Sequence, residues 1–493
     1  MKKLHIITSL ILLIFFLIGC QTIEENIETE IKTPEETLIT PTEPEETIIS
    51  PIPTIPIQYD RFLSPHGFAE LGIEQRNISE GYIEVHNEIE FLQALMEPNI
   101  QIIEIKNDLN MGANHIQSLL ESEGLTLNDV RTVYRRHSHT PLKHPTLIEN
   151  GVGSIRIVLR NHLMIYSTYG ATISHATTLI DGSNDIVIRN LKLTGIWEWD
   201  ELDRGQYKRN DWDYFTIEKS SNIWIDHMTF EQAYDGIIDI KENTSNVTLS
   251  WSKLLFKPNT FIEDQINYLE EQRVSNPFYD ELRTQGVSIE DIILHSSFQK
   301  KGFNLGNTTD GLGFESITMT FHHLEIYNLQ DRMPRIRKGD VHMYHVSLDN
   351  QDVYLLRLRL GQTGLSFVNQ GIVTTEDGAV LMENSIFKYV TTPLRNHQDS
   401  NPDSSYTGRY QVINSELILP SRTYFGSSED TSTLWRHDNS AEKLAFRFRN
   451  YDELPYHYTL SDVYFLNEIF ERYPVGHTHI ENFDWTDIRL THR

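Results

Sequence analysis

Short segments in which apolar and polar residues alternate recur along the middle of the chain. Five of them lie at 186–190, 223–227, 247–251, 317–321 and 341–345. Alternation over about five residues predicts a β-strand with one buried face. The first residues of these segments lie 37, 24, 70 and 24 positions apart. The repeated step of 24 predicts one coil of a parallel β-solenoid, with loops inserted into the longer steps.

A β-sandwich is the main alternative fold, because it also contains many short strands. No Asn-Gly pair of the kind that closes a tight hairpin joins the five segments, and Ser, Asn or Asp usually precedes them. These features favour connections between parallel strands over hairpins. We therefore predict an all-β fold in which the strands form a parallel β-helix.

A short helix is predicted at the start of the solenoid. Asn87 followed by Glu90 is a capping-box pattern, and an apolar run with helical spacing surrounds it. The apolar segment at 102–105 then reads as a first strand. We interpret the helix as an N-terminal cap on the stacked strands.

The step of 70 residues contains a second helical pattern. Ile262, Ile266 and Leu269 have helical spacing, and charged residues fill the gaps between them. Pro277 is expected to end this helix or to lie just beyond it. We predict a helical insertion over roughly 257–297, either as a wall of a substrate groove or as a passive decoration.

The first twenty residues have the features of an export signal. Lys2 and Lys3 precede an apolar stretch at 6–18, and the segment 17–20 matches a lipoprotein cleavage box that ends at Cys20. We expect residues 1–20 to be a lipoprotein signal peptide, with Cys20 lipidated and the protein anchored at the cell surface. A plain signal peptide or an anchor helix is the alternative. Because Cys20 is the single cysteine, no intrachain disulfide can form.

Residues 21–57 have the composition of a disordered tether. They contain nine Glu, six Pro and one Lys, and such a segment buries too little apolar surface to fold. At ~3 Å per residue the tether could reach roughly 100 Å from the membrane. The remaining residues, 58–493, are then one catalytic or binding domain. The net charge of −28 argues against nucleic acid as a partner.

Two pairs of acidic residues are candidates for metal binding. Asp211 and Asp213 alternate, as residues on one face of an extended segment do, and Asp235 and Asp239 follow one strand later. Oxygen ligands of this kind suit Ca²⁺ better than Zn²⁺ or Cu²⁺. Acidic pairs in loops are also common without a metal, so the pattern alone leaves both interpretations open.

A basic run stands out in this acidic chain. Residues 332–338 contain four cations in seven positions, and Lys300 and Lys301 form a smaller patch. Arginines in an extended segment suit the binding of carboxylates, although a solvated basic turn is the simpler interpretation. The chain has no nucleophile elbow, phosphate-binding glycine loop or zinc-protease motif.

Several of these segments together resemble the pectate lyase family (the pectate lyase/pectin lyase superfamily). The segment 223–227 is similar to the family's V-W-I-D-H strand, and 235–241 is similar to its D-G-x-x-D-I-K. Arg332, Pro334 and Arg337, followed by Gly339, resemble its R-x-P-x-x-R element. The resemblance spans roughly residues 80–480 apart from the insertion, and it implies a right-handed parallel β-helix.

The resemblance also implies roles for individual residues. Asp213, Asp235 and Asp239 correspond to the primary Ca²⁺ ligands, and Asp211 corresponds to a further ligand used together with substrate. Arg332 corresponds to the catalytic base. Lys301 and Arg337 correspond to residues that hold substrate carboxylates. The chain departs from the family's Asn-Asn after the next strand, where His345 and Val346 occur.

The function implied is Ca²⁺-dependent cleavage of de-esterified polygalacturonate (pectate) by β-elimination. Arginine is an unusual base, because its solution pKa lies above ~12, so a neutral Arg332 requires positive charge nearby. A lyase or hydrolase for another acidic polysaccharide and a non-catalytic glycan-binding β-helix are the alternatives. We expect a monomer with polygalacturonate and the membrane as its partners.

Overall fold

The computed structural model describes residues 59–76, 79, 81–135, 142–155, 161–201, 210–306, 317–397, 406–437 and 441–490. The predicted signal peptide with Cys20 and the predicted tether lie outside these ranges, so both stay predictions. Within the described ranges, no helix is long and apolar enough to cross a membrane.

Short strands dominate the structure. In chain order they are β1 (Tyr82–Val85), β2 (Ile102–Ile105), β3 (Leu109–Asn110), β4 (Gly153–Ile155), β5 (Leu163–Tyr166), β6 (Thr172–Ser174), β7 (Ala176–Asp181), β8 (Asn184–Arg189), β9 (Lys192–Thr194), β10 (Phe215–Glu218), β11 (Ser221–Asp226), β12 (Thr229–Phe230), β13 (Ile238–Lys241), β14 (Ser245–Ser250), β15 (Lys253–Leu255), β16 (Phe303–Leu305), β17 (Ile317–Tyr327), β18 (Arg335–Arg337), β19 (Gly339–Asp349), β20 (Gln370–Thr375), β21 (Ala379–Glu383), β22 (Ile386–Lys388), β23 (Thr392–Arg395), β24 (Arg409–Ile413), β25 (Glu416–Leu419) and β26 (Arg422–Tyr424).

The helices are shorter in total and lie mainly between strands. They are α1 (Glu88–Met96), α2 (Ala113–Ser122), α3 (Pro145–Asn150), α4 (Thr260–Glu271), α5 (Pro277–Thr284), α6 (Ile289–Ser297), α7 (Gln351–Leu360), α8 (Ser432–Trp435) and α9 (Leu466–Arg472). Short 3-10 helices occur at Asp60–Phe62, Phe68–Leu71, Arg273–Ser275 and Val463–Phe465.

The strands stack in three parallel columns. The first column runs β1-β2-β5-β8-β11-β14-β17-β19-β21-β24, and the second runs β3-β6-β9-β12-β15 and on through the second halves of β17 and β19 to β22 and β25. The third column is a separate eight-stranded sheet, β4-β7-β10-β13-β16-β18-β20-β23. Successive coils add to the columns in turn, and β17 and β19 are each long enough to span the first two columns, so the predicted parallel β-helix is confirmed. Its hand is right-handed, as parallel crossovers almost always are.

The interior of the coils is a continuous apolar stack. In the first column, Ile188, Ile225, Leu249, Phe321 and Met343 are successive register partners, and all are buried. Each such side chain contributes roughly 1.5–3 kcal/mol by leaving water. A shift of one residue would turn the apolar side chains of a strand outward. Burial therefore excludes every register that is shifted by an odd number of residues.

Both ends of the described chain cover the outer face of the first column. Arg189 is fully buried, forms a 2.8 Å ion pair with Asp226, and donates hydrogen bonds to the carbonyls of Phe62 and Trp485. Asp226 thereby links the V-W-I-D-H-like segment to the two terminal segments. Its role in the structure is to anchor them.

The predicted helices are present. Asn87 caps α1 by accepting a 2.9 Å hydrogen bond from the Glu90 amide, as the capping-box pattern predicts. The insertion contains α4, α5 and α6, and its apolar side chains pack with those of α7 and with Trp197. Pro277 does not end the first of these helices, which stops at Glu271. It occupies the first turn of α5, where a missing amide hydrogen has no cost.

Residues with positive φ form the corner between the first and second columns. They are Asn190, His227, Trp251, His323, His345 and Asn384, with φ between 44° and 56°. Asparagine tolerates this conformation best among residues other than glycine. His345 is buried, lies 2.9 Å from His323 through ring nitrogens, and accepts a 2.9 Å hydrogen bond from the Ser461 amide. The histidines left unassigned from the sequence thus have a structural role.

Acid is expected to destabilise the buried histidines at this corner, together with His322, which lies 2.8 Å from His323 through ring nitrogens. Burial lowers the pKa of His345 to about 4 and that of His322 to about 3. The folded state therefore binds fewer protons than the unfolded state, and stability falls as the pH drops below ~6.5. By pH 5 each of the two groups accounts for a loss of roughly 2 kcal/mol.

The variant His345→Asn tests this prediction, because asparagine occupies the same corner at Asn190 and Asn384. Calorimetric melting at pH 8 and pH 5 should show a smaller loss of Tm in the variant than in the wild type. An equal loss in the two proteins would contradict a role for His345 in acid sensitivity.

Candidate active site

The predicted metal-binding, catalytic and substrate-binding residues lie in, or just before, four strands of the third column. Asp211 and Asp213 precede β10, Asp235 precedes β13, Asp239 lies within β13, Lys301 precedes β16, Arg332 precedes β18, and Arg337 ends β18. Since β10, β13, β16 and β18 pair in parallel in this order, residues far apart in sequence lie in adjacent coils.

Three of the four aspartates converge. One carboxylate oxygen from each of Asp211, Asp213 and Asp235 lies within 4.8 Å of the others. Asp213 is buried, and its Oδ1 accepts a 2.6 Å hydrogen bond from the amide of Gly236. A Cβ on Gly236 would lie 2.6 Å from the same oxygen, so only glycine allows this approach.

The second oxygen of Asp213 is buried and has no hydrogen-bond partner among the described residues. Burial raises the pKa of Asp213 well above its usual value, and the negative charges of Asp239, Asp235 and Asp211 raise it further. Burial also raises the pKa of Asp235, although Lys301 opposes the shift. The cluster therefore holds more negative charge than the described protein groups neutralise.

Asp239 and Asp235 are already engaged by lysines. Asp239 lies 3.1 Å from Nζ of Lys241 and accepts a 2.9 Å hydrogen bond from Asn304. Lys301 Nζ contacts Asp235 directly. Four carboxylates and two ammonium groups leave a formal charge of −2, which one divalent cation would balance.

This donor set fits Ca²⁺. All candidate ligands are carboxylate oxygens, which hard cations prefer, and the unpartnered Asp213 Oδ2 is an acceptor that a cation would satisfy. Asp211, Asp213 and Asp235 are the residues best placed to hold the ion. Asp239, placed with the primary ligands from the sequence, lies outside this group of three in the structure, and its ligand role stays a prediction.

Arg332 lies one coil beyond Lys301. Its carbonyl accepts a 2.8 Å hydrogen bond from the Phe303 amide, which sets the two coils side by side. The close approach depends on Gly302, where a Cβ would lie 2.6 Å from the Arg332 carbonyl oxygen. Arg332 has a φ of 66°. Its Nε is 3.9 Å from Asp331 and has no hydrogen-bond partner among the described residues.

Arg337 is held more firmly than a free substrate ligand would be. It is buried and donates a 2.7 Å hydrogen bond to the Gly306 carbonyl, with Nε 3.8 Å from Glu376. Its role in holding substrate stays a prediction. Arg335, two residues earlier on the same strand, is less buried, and burial together with the charges of Arg337 and Arg332 lowers its pKa to about 9.

Three site residues were not assigned from the sequence: Lys241, Asn304 and Arg335. Lys241 and Asp239 alternate on β13, so the period-2 rule places both on one face. Asn304 and Arg335 are the register partners of Asp239 in the next two coils. No spacing in the sequence gives that register, because the insertion separates the coils.

Comparison with known proteins identifies the family. The pectate lyase family profile matches residues 155–263. Pectate lyase B from Paenibacillus amylolyticus is 37% identical over 346 residues, which are 66% of this chain and 85% of that protein. A pectate trisaccharide-lyase from Thermotoga maritima is 28% identical over 196 residues, 40% of each chain.

A solved structure agrees with the sequence relatives. The pectate lyase from Paenibacillus sp. 0602 superposes with a TM-score of 0.77 at 34% identity, over 85% of this chain and 97% of that one. The observed fold therefore agrees with the sequence relatives and with the similar solved structure. The chain belongs to the pectate lyase family.

Proposed function

We propose that this protein is a Ca²⁺-dependent pectate lyase that cleaves de-esterified polygalacturonate by β-elimination. The observation that carries the proposal is the placement of the aspartate cluster, Lys301 and Arg332 on adjacent coils of the third column. Relatives named as pectate lyases support polygalacturonate as the substrate. The excess of negative charge in the aspartate cluster supports Ca²⁺ binding.

The reaction needs a base near a uronate. In β-elimination the C5 proton is removed, its electron pair forms the C4=C5 double bond, and the C4–O4 bond breaks with protonation of O4 by solvent. A neutral Arg332 guanidine would accept the C5 proton. Its unpartnered Nε and the neighbouring Lys301 and Arg335 are the local features that favour this role.

Charge also selects the substrate. Bound Ca²⁺ would supply positive charge opposite the C6 carboxylate of the uronate. Lys301 and Arg335 add cations that a carboxylate neutralises and a methyl ester does not. The groove therefore favours pectate over fully esterified pectin.

The decisive experiment follows the unsaturated product by ultraviolet absorbance, with purified protein, polygalacturonate and Ca²⁺. We expect the absorbance to rise and a chelator to abolish the rise. Activity that survives the chelator would contradict the metal assignment. No rise on polygalacturonate but a rise on another uronate polymer would indicate a different acidic substrate, and binding without turnover would indicate a glycan-binding protein.

We further propose that the protein is held at the membrane through Cys20. The support is the cleavage box around this cysteine, which lies outside the described residues. Cys20→Ala expressed in the native host should move the protein from the membrane fraction to the soluble fraction, as measured by fractionation and immunoblotting. Unchanged membrane association in the variant would contradict this proposal.

A further inference from the structure

A row of outward-facing side chains continues past the arginines of the candidate active site. Register pairs Asp239 with Asn304, Asn304 with Arg335, Arg335 with Val373, and Val373 with Arg395. The bridge between Leu394 and Arg436 places His437 opposite Arg395 in the next coil. At ~4.8 Å per rung, His437 lies roughly 14 Å beyond Arg335 along the column.

The row ends at a cavity. The cavity has a volume of about 380 Å³ and is lined by Tyr354, Arg357, Leu358, Thr391, Thr392 and His437. Thr392 is the first residue of β23, so the cavity opens at the edge of the same sheet that carries the aspartates and Arg332. The cavity and the candidate active site therefore lie along the same eight-stranded sheet.

The charge in the cavity suits an anion. Arg357 is exposed, and its guanidinium forms no ion pair among the described residues. Its Nη1 lies 3.5 Å from the Thr391 hydroxyl. An uncompensated guanidinium in a chain of net charge −28 binds carboxylates by paired hydrogen bonds. Tyr354 adds an aromatic face and a hydroxyl to the same wall.

The helical insertion supports this wall. Val353, Leu356 and Leu360 on one face of α7 pack into the apolar cluster formed by the insertion helices. Tyr354 and Arg357 lie on the face of α7 that lines the cavity. The wall is therefore preformed, and the insertion acquires a role in placing α7 beside β23.

Resting on the proposed function, we propose that this cavity is a distal subsite that binds a uronate residue of the same polysaccharide chain, with Arg357 holding its carboxylate. Long chains reach both the cavity and Arg332, whereas a trisaccharide bound at Arg332 does not. The subsite then selects for polymer length and leaves the chemical step unchanged.

The test compares Arg357→Gln with Arg359→Gln, a matched control on the same helix whose side chain pairs with Asp291 away from the cavity. Arg357→Gln should raise KM for polygalacturonate about fivefold to tenfold, the loss of roughly 1–1.4 kcal/mol expected for one charged contact. The KM for trigalacturonate and kcat on both substrates should stay within about twofold, and the control variant should match the wild type.

An equal change on both substrates, or no change on the polymer, would overturn the proposal. A second measurement separates it from failure of the proposed reaction. Calorimetric titration with hexagalacturonate needs no turnover, and Arg357→Gln should weaken this binding even if the wild type does not cleave the chain. Equal affinity in the two proteins, or binding by neither, would also overturn the subsite.

Discussion

Replacing Arg332 with alanine is expected to lower kcat on polygalacturonate by about 10²–10⁴-fold, the range contributed by a general base. Ca²⁺ binding and folding should be retained. Arg332 makes no side-chain hydrogen bond among the described residues and is 3.9 Å from Asp331, so truncation leaves no strong contact broken. Circular dichroism and calorimetric Ca²⁺ titration check both properties.

The control for this variant is Arg422→Ala, which removes an exposed arginine from β26 at the far end of the solenoid. It should keep full activity. If Arg332→Ala also kept more than about a tenth of wild-type kcat, Arg332 would be excluded as the base. Arg335 would then be the next candidate to replace.

Arg335 gives the candidate site a pH dependence. Burial, together with the charges of Arg337 and Arg332, lowers the pKa of Arg335 to about 9. Above that pH, Arg335 loses the positive charge proposed to face a substrate carboxylate. We expect kcat/KM on polygalacturonate to fall as the pH rises through about 9, as followed by initial rates between pH 7 and pH 10.

The sequence predicts the solenoid but not its register. The observed partners are Ile186, Ile223, Val247, Met319 and Val341, so the last two steps are 72 and 22 residues and not 70 and 24. Alternation repeats every two residues, and a shift by two leaves every side chain on the same face. The pattern therefore cannot distinguish the two registers, and only the packing of neighbouring coils does.

The sequence likewise predicts only part of the candidate site. Asp213, Asp235 and Arg332 lie on one side of the solenoid because each precedes a strand of the same column. The ion pair of Lys301 with Asp235 depends on side-chain positions across coils, whereas Lys241 pairs with Asp239 on the same strand. The side chain of Arg337 is fixed by the carbonyl of Gly306, which lies in another coil. Helix α7 was not predicted, because its neighbours in the apolar cluster lie on the insertion.

The second large effect is expected at Asp213. Asp213→Asn should raise the Ca²⁺ concentration for half-maximal activity by at least about tenfold. Replacing a residue that only contacts a metal ligand already weakens metal binding by about that much. In the presence of a chelator, the variant should also have a higher Tm than the wild type. The amide keeps the oxygen that accepts the Gly236 hydrogen bond and removes a buried charge that three carboxylates repel.

The sign of the stability change follows from the pKa. Burial raises the pKa of Asp213 in the folded, metal-free protein above its unfolded value of ~3.9. Its contribution to stability is then fully present below that unfolded value and is lost as the pH rises through the folded value. At pH 8, above the unfolded value, the raised pKa destabilises the metal-free fold, and a bound cation reverses the cost.

Calorimetric melting at pH 8 in chelator and across a Ca²⁺ series measures both effects. The wild type should have the lower Tm in chelator and the larger rise with Ca²⁺. Asp181→Asn is the control, because it removes a more exposed carboxylate from β7 in the same column, 3.9 Å from Lys219. It should match the wild type. If Asp213→Asn instead melted lower in chelator and needed no more Ca²⁺, Asp213 would be a hydrogen-bonding residue of the turn, and the metal would have to be assigned to other carboxylates.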